Sequence, residues 1–188
     1  LEHVMFAGFS HRPAIQLAAK LVKTLPNNLD KVFFSDNGST AVEVAIKIAL
    51  QYWKNKGYTG KNKLLALDGG YHGDTVGAMS VSKGSGFFNA YNDYLFSIEI
   101  IPFPETWFED HERERKEEAS LSLFKKLINE KKKELCAIII EPLLQGASGM
   151  RICSMDYLQK INAIAKENEI LLIFDEVAVG FGRLGDMF

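Results

Sequence analysis

The sequence predicts an α/β domain with a mainly parallel sheet flanked by helices. Strand-length apolar segments alternate with helix-length amphipathic ones along the chain. Two of the apolar segments, Cys136–Ile140 and Ile170–Phe174, contain no polar residue, as befits strands covered on both faces. With 188 residues and 47% hydrophobic content, the chain can bury one good core.

Taken in order, Pro13–Leu25 reads as a helix that turns Ile15, Leu17, Ala18, Leu21 and Val22 inward. Lys31–Phe34 reads as a short strand, and Thr40–Trp53 as a strong helix closed by Gly57. Lys63–Leu67 is a second strand; Phe96–Ile101 is a third, ended by Pro102 and Pro104. Glu112–Lys133 is mostly helix, with Leu121, Phe124, Leu127 and Ile128 as its buried stripe. Two charge runs, His111–Glu118 and Lys131–Glu134, form the solvated face around that stripe. Cys136–Ile140 is a buried strand stopped by Pro142. Met155–Glu167 is a helix, and Ile170–Phe174 is the last strand.

Composition narrows the partners. The net charge is −2 with acids and bases interspersed, which gives nucleic acid or an anionic membrane no electrostatic support. No apolar run is long enough to span a bilayer, and no signal peptide is visible. Cys136 and Cys153 lack metal-ligand spacing, and Cys136, which opens an apolar strand, reads as a buried thiol in a reducing, cytoplasmic setting. The four histidines are scattered without ligand spacing, so no metal is expected. The chain begins at Leu1 and ends at Phe188 after a glycine-rich turn. Neither end resembles a polar linker, so a piece of a longer protein is expected.

Ligands of such sheets collect at the carboxyl ends of the strands, and three strand ends carry chemistry. The first is Ser35-Asp36-Asn37-Gly38-Ser39-Thr40, before the long helix. It reads as an ordinary helix cap or as an anion site on free N–H groups; Gly38-Ser39 favours phosphate, since Gly admits an anion and Ser adds a hydroxyl. The second is Gly69-Gly70-Tyr71-His72-Gly73-Asp74. Tyr71 either stacks on a heteroaromatic ligand or half-buries in a surface turn, and His72 reads as structural. The third is Asp175-Glu176, straight after the last apolar strand. A carboxylate delivered there, set against a pyridine nitrogen, would keep the ring protonated and electron-poor.

Competing patterns fail on context. The acidic strand end would suit magnesium in a nucleotide triphosphatase, but no loop ending Gly-Lys-Ser/Thr exists. Gly180, Gly182 and Gly185 match the dinucleotide fingerprint, yet they do not follow the strand immediately. Ser39, His72 and Asp175 could be named as a triad, but the chain lacks a Gly-x-Ser-x-Gly elbow.

Several stretches together resemble the class III (fold type I) pyridoxal-phosphate aminotransferases. They are His3-Val4-Met5-Phe6, Gly38 to Ala45, Gly70 to Thr75, Gly77 to Val81, Ile140-Glu141-Pro142, Gln145-Gly146-Ala147, Asp175-Glu176-Val177 and Gly180 to Arg183. The resemblance covers essentially the whole chain. It implies that residues 1–188 are part of the large, cofactor-binding domain, without the N-terminal segment, the catalytic-lysine region or the C-terminal small domain. It implies pyridoxal 5′-phosphate as cofactor, small-molecule substrates and a homodimer. Gly38 and Ser39 would bind the cofactor phosphate, Tyr71 would stand at the ring and the substrate, Asp175 would pair with the pyridine nitrogen, and Val177 would pack on the ring.

Departures from the family pattern are informative. Ornithine- and aminobutyrate-type members have Gln-Gly-Glu where this chain has Gln145-Gly146-Ala147, and Gln where it has Ala178. Both differences point to another branch. Val179 and Leu184 stand where Thr is typical, which alters hydrogen bonding near that turn. The family's Schiff-base lysine lies well downstream of the aspartate, and none of residues 176–188 is Lys; an inactive fragment is therefore expected. Two alternatives stay open: an ornithine-, aminobutyrate- or diamine-type enzyme, and a non-catalytic cofactor-binding module.

Overall fold

The computed structural model describes residues 6–188, so His3, Val4 and Met5 of the first matching stretch lie outside the described residues. Its centre is a four-stranded parallel sheet. Strands β1 (Lys63–Leu67), β2 (Glu99–Ile101), β3 (Leu135–Ile140) and β6 (Leu171–Phe174) stand in the order β2-β1-β3-β6. Two short strands, β4 (Leu144–Gln145) and β5 (Arg151–Ile152), form an antiparallel hairpin beside it. The helices are α1 (Arg12–Thr24), α2 (Gly38–Asn55), α3 (Val76–Val81), α4 (Arg113–Lys131) and α5 (Met155–Glu167).

Successive strand residues point to opposite faces, and each face buries its own cluster. Leu65, Leu67, Ile138 and Ile140 meet Leu121, Phe124 and Ile128 of α4 and Tyr157 and Ile161 of α5. Leu64, Ala66, Ala137 and Ile139 meet Val42, Ile46, Ala49 and Trp53 of α2, with Ala78 and Val81 of α3. The sheet is thus the middle of three layers, and all six residues of β3 are buried. Trp53 closes one end by donating from Nε1 to Cys136 O (2.7 Å), under the Lys61 ammonium 3.9 Å from its ring centroid. Burial pushes the Cys136 thiol up to about 11 and the Cys153 thiol up to about 12, so both are inert neutral groups.

Two expectations are corrected. Lys31–Phe34 is not a strand: it has no ladder partner, and Phe33 is left 69% exposed. The helix at Pro13–Leu25 forms, but it buries none of its residues; Ile15 and Leu17 face outward because no other described element covers them. Phe96–Ile101 contributes a strand only from Glu99. Helix α3 and the β4–β5 hairpin had no counterpart among the expected elements.

Among the described residues, no helix is long and apolar enough to cross a membrane.

Candidate active site

The three segments converge, the first of them at the start of α2 and not at a strand end. At the first, Asn37 caps α2 from an extended backbone: its side chain accepts from Thr40 N–H (3.0 Å), while Thr40 Oγ1 accepts from Asn37 N–H (3.1 Å). This reciprocal cap uses the N–H of Thr40 and leaves those of Gly38 and Ser39 without an acceptor among the described residues. Ser39 Oγ turns instead to Thr75, accepting from its N–H (3.0 Å) and pairing with its hydroxyl (2.8 Å). The close approach requires Gly73: its φ is +116°, and a Cβ there would lie 2.5 Å from Ser39 Oγ.

At the second strand end, Tyr71 is partly exposed. Its N–H donates to Glu141 Oε1 (3.0 Å) and its hydroxyl to Asp74 Oδ1 (2.9 Å). That hydrogen bond to the Asp74 carboxylate holds the phenol above its ordinary value, so it stays protonated. Its ring lies roughly parallel to Phe88 and edge-on to Phe87, each 6.0 Å away between centroids.

His72, next in sequence, points into the protein. Its N–H donates to Ser82 Oγ (2.8 Å), and its Nδ1 lies 2.7 Å from Asp175 Oδ2. The two side chains are 1% and 5% exposed, so the contact is sealed from solvent. The other oxygen of Asp175, Oδ1, accepts from Val177 N–H (3.1 Å). Val177 in turn abuts the start of α2, since a Cβ on Gly38 would come 2.9 Å from its Cγ2. Open N–H groups, an isopropyl group and a buried carboxylate therefore adjoin one another, with Tyr71 beside them.

Glu141 ties the loops together. It follows β3 directly and accepts from Tyr71 N–H and, through Oε2, from Gly146 N–H (3.1 Å). Burial pushes its carboxyl above the ordinary value despite both donors.

Gly38, Ser39, Tyr71, Asp175 and Val177 thus all stand at one sheet edge. The Ser39–His72–Asp175 triad does not form, because Ser39 Oγ is engaged by Thr75. The Gly180–Gly185 turn projects outward, with Phe181 exposed. Sequence reasoning missed Thr75 behind Ser39, Glu141 as a brace, and His72 as partner of Asp175. Only the run from Tyr71 to Thr75 hinted at them, by placing four polar or aromatic groups between glycines and a helix.

A buried carboxylate, a helix start with open N–H groups and an aromatic ring thus adjoin at one edge of a parallel sheet. A family model described as aminotransferase class-III matches residues 1–188, and the chain belongs to that family. Among its relatives, the adenosylmethionine-8-amino-7-oxononanoate aminotransferase of Synechococcus elongatus is 52% identical over the whole chain, which covers 44% of that protein. The enzyme of the same name from Staphylococcus aureus is 41% identical, with 42% of it covered. Solved structures agree. The adenosylmethionine-8-amino-7-oxononanoate aminotransferase of Methanocaldococcus jannaschii superposes with a TM-score of 0.88 at 38% identity, over 99% of this chain and 40% of that one. An omega transaminase of Pseudomonas jessenii in complex with PMP gives 0.88 at 32% identity, over 99% and 42%. The chain spans less than half the length of the curated relatives it matches.

Proposed function

We propose that this sequence forms the cofactor cradle of an aminotransferase that moves the amino group of S-adenosylmethionine onto 8-amino-7-oxononanoate. The product would be 7,8-diaminononanoate, in biotin biosynthesis. The observation that carries the reading is the buried Asp175 carboxylate, braced by His72 and Val177 N–H beside the open N–H groups of α2.

The residues suit pyridoxal 5′-phosphate. A side chain on Gly38 would fill the approach to Val177, while the donors of Gly38 and Ser39, with the dipole of α2, match a phosphate. When bound, the cofactor supplies an electron-poor ring that holds the amino group between donor and acceptor. Asp175 would hold a proton on the ring nitrogen, because an ionised, desolvated carboxylate favours the protonated neighbour. Val177 would pack on one face of the ring and exclude water there. Tyr71, its hydroxyl oriented by Asp74, would limit the ring's other surroundings and the substrate's position. The absence of an acid at Ala147 favours this donor over ornithine or aminobutyrate.

Cofactor absorbance on the full chain tests the reading. S-adenosylmethionine should convert the bound cofactor to its amine form and ornithine should not. Asp175→Ala should slow that conversion by roughly 100-fold or more. Faster conversion by ornithine would overturn the substrate assignment, and an unimpaired Asp175→Ala variant would overturn the site.

A further inference from the structure

Tyr71 stands on a loop that cannot fix its own course. The two residues before it, Gly69 and Gly70, have no side chains to pack, and Gly69 adopts a left-handed backbone (φ +82°). The turn that carries Ala147 is no better supported. Ala147 and Gly149 are exposed, and a Cβ on Gly146 or Gly149 would meet nothing within 4 Å. Two side chains tie these segments together. Glu141 accepts from Tyr71 N–H through Oε1 (3.0 Å) and from Gly146 N–H through Oε2 (3.1 Å). Ser148 donates from Oγ to Gly69 O, and a Cβ on Gly69 would lie 2.6 Å from that hydroxyl. Glu141 is itself firmly held: it is buried and directly follows β3, an inner strand of the sheet. The strand end is fixed by the bond from Asp175 N–H to Ile140 O (2.9 Å), and Pro142 locks the next φ. A carboxylate with a donor on each oxygen, built on such a base, passes the rigidity of the sheet to both loops.

We propose that Glu141 is a positioning residue for amino-donor binding: with Ser148, it fixes the gap between Tyr71 and the turn that carries Ala147. Those are the two positions to which the function proposed above assigns the placing and the choice of donor, and the inference rests on that reading. Tyr71 is tethered twice, at its N–H by Glu141 and at its hydroxyl by Asp74, so its ring has a defined place. Ala147 follows Gly146 directly, so the same carboxylate sets where its methyl group stands. Only a carboxylate of this length serves. A glutamine oxygen accepts from one N–H while its NH2 group meets the other donor to donor, and one loop is released. Aspartate, a methylene shorter, does not reach both. A donor that must fit between Tyr71 and Ala147 then meets a wall in the wrong place.

The donor half-reaction of the full chain, followed by cofactor absorbance in stopped flow, tests this. In Glu141→Gln the Kd for S-adenosylmethionine should rise by roughly tenfold, the scale of one misplaced pocket contact. The limiting rate and the absorbance maximum of the bound cofactor should change far less, because Asp175 and the start of α2 keep their own contacts. Ser148→Ala should raise Kd in the same direction by a smaller factor. A variant that was merely less stable would lose amplitude and leave the Kd of its folded fraction as in wild type. An unchanged Kd in Glu141→Gln, or in Ser148→Ala where Glu141→Gln does not fold, would overturn the proposal, as would a limiting rate that falls without any change in Kd. Hydrogen exchange reads the tie with no substrate present. The amide of Tyr71 or of Gly146 should exchange faster in Glu141→Gln, and unaltered exchange at both would also overturn the proposal. If ornithine converts the wild-type cofactor and S-adenosylmethionine does not, the donor assignment falls, and the same comparison of Kd with ornithine still decides the role of Glu141.

Discussion

Glu141 sets two opposing effects against each other at a single carboxyl. Two backbone N–H groups favour its charged form, while burial favours the neutral one and dominates, holding the group above its ordinary value of 4.5. A carboxyl whose folded value is raised binds protons more readily in the folded state, so it supports folding most at low pH. That support is lost as pH rises from about 4.5 through the raised value. The stability advantage of wild type over Glu141→Gln should therefore shrink across that window in denaturant titrations, and an advantage growing with pH would contradict the assignment. The same residue marks where the sequence stops speaking. Asp175 was legible because four apolar residues deliver it to a sheet edge. Glu141 lies after a strand too, but its partners at Tyr71 and Gly146 depend on which loops the fold brings near.

Elements repeat that contrast. Strand β1 and helix α5 have the bounds their patterns predict, because each carries its own punctuation: a continuous apolar run, and Ser154 as a cap accepting from Tyr157 N–H. Helix α3 is six residues long, too short for a helical repeat to show. It is held from outside. Glu43, on α2, accepts from the N–H groups of Gly77 (2.6 Å) and Ala78 (3.3 Å), placing a carboxylate at the start of α3. A Cβ on Gly77 would overlap that carboxylate. Gly77→Ala should thus destabilise the full chain by about 1–3 kcal/mol, as should Glu43→Ala, since each strands the same donors. In a double-mutant cycle the two losses should fall well short of additive. Full additivity would mean that Glu43 does not cap α3. Lys31–Phe34 fails in the opposite sense: its strand-like composition finds no neighbour to complete a ladder.

At the scale of the molecule, the core is sound and the outside is incomplete. Both faces of the sheet are packed, yet α1 buries nothing, and Phe9, Phe33, Tyr94 and Phe108 are more than half exposed. An apolar cleft of about 630 Å³, walled by Pro26, Leu143, Leu158 and Phe174, opens beside the ends of β3 and β6. Contiguous apolar surface of this kind is unusual on a soluble monomer. Residues 1–188 produced alone should self-associate in sedimentation velocity, with the associated fraction rising with concentration. A single monomeric boundary at high concentration would refute this.

The His72–Asp175 pair also has a consequence in time. Its members are 103 residues apart. At a synthesis rate of about 5–20 residues per second, the histidine leaves the ribosome roughly 5–20 seconds before its carboxylate exists. β1 waits similarly for β3, its central neighbour in the sheet. The glycine-rich loop around Tyr71 and His72 at first lacks both Glu141 and Asp175, and after Glu141 emerges it still lacks Asp175. The nascent chain must keep this loop from other partners until β6 emerges, and a chaperone that bound there would be acting on the pocket before the pocket exists.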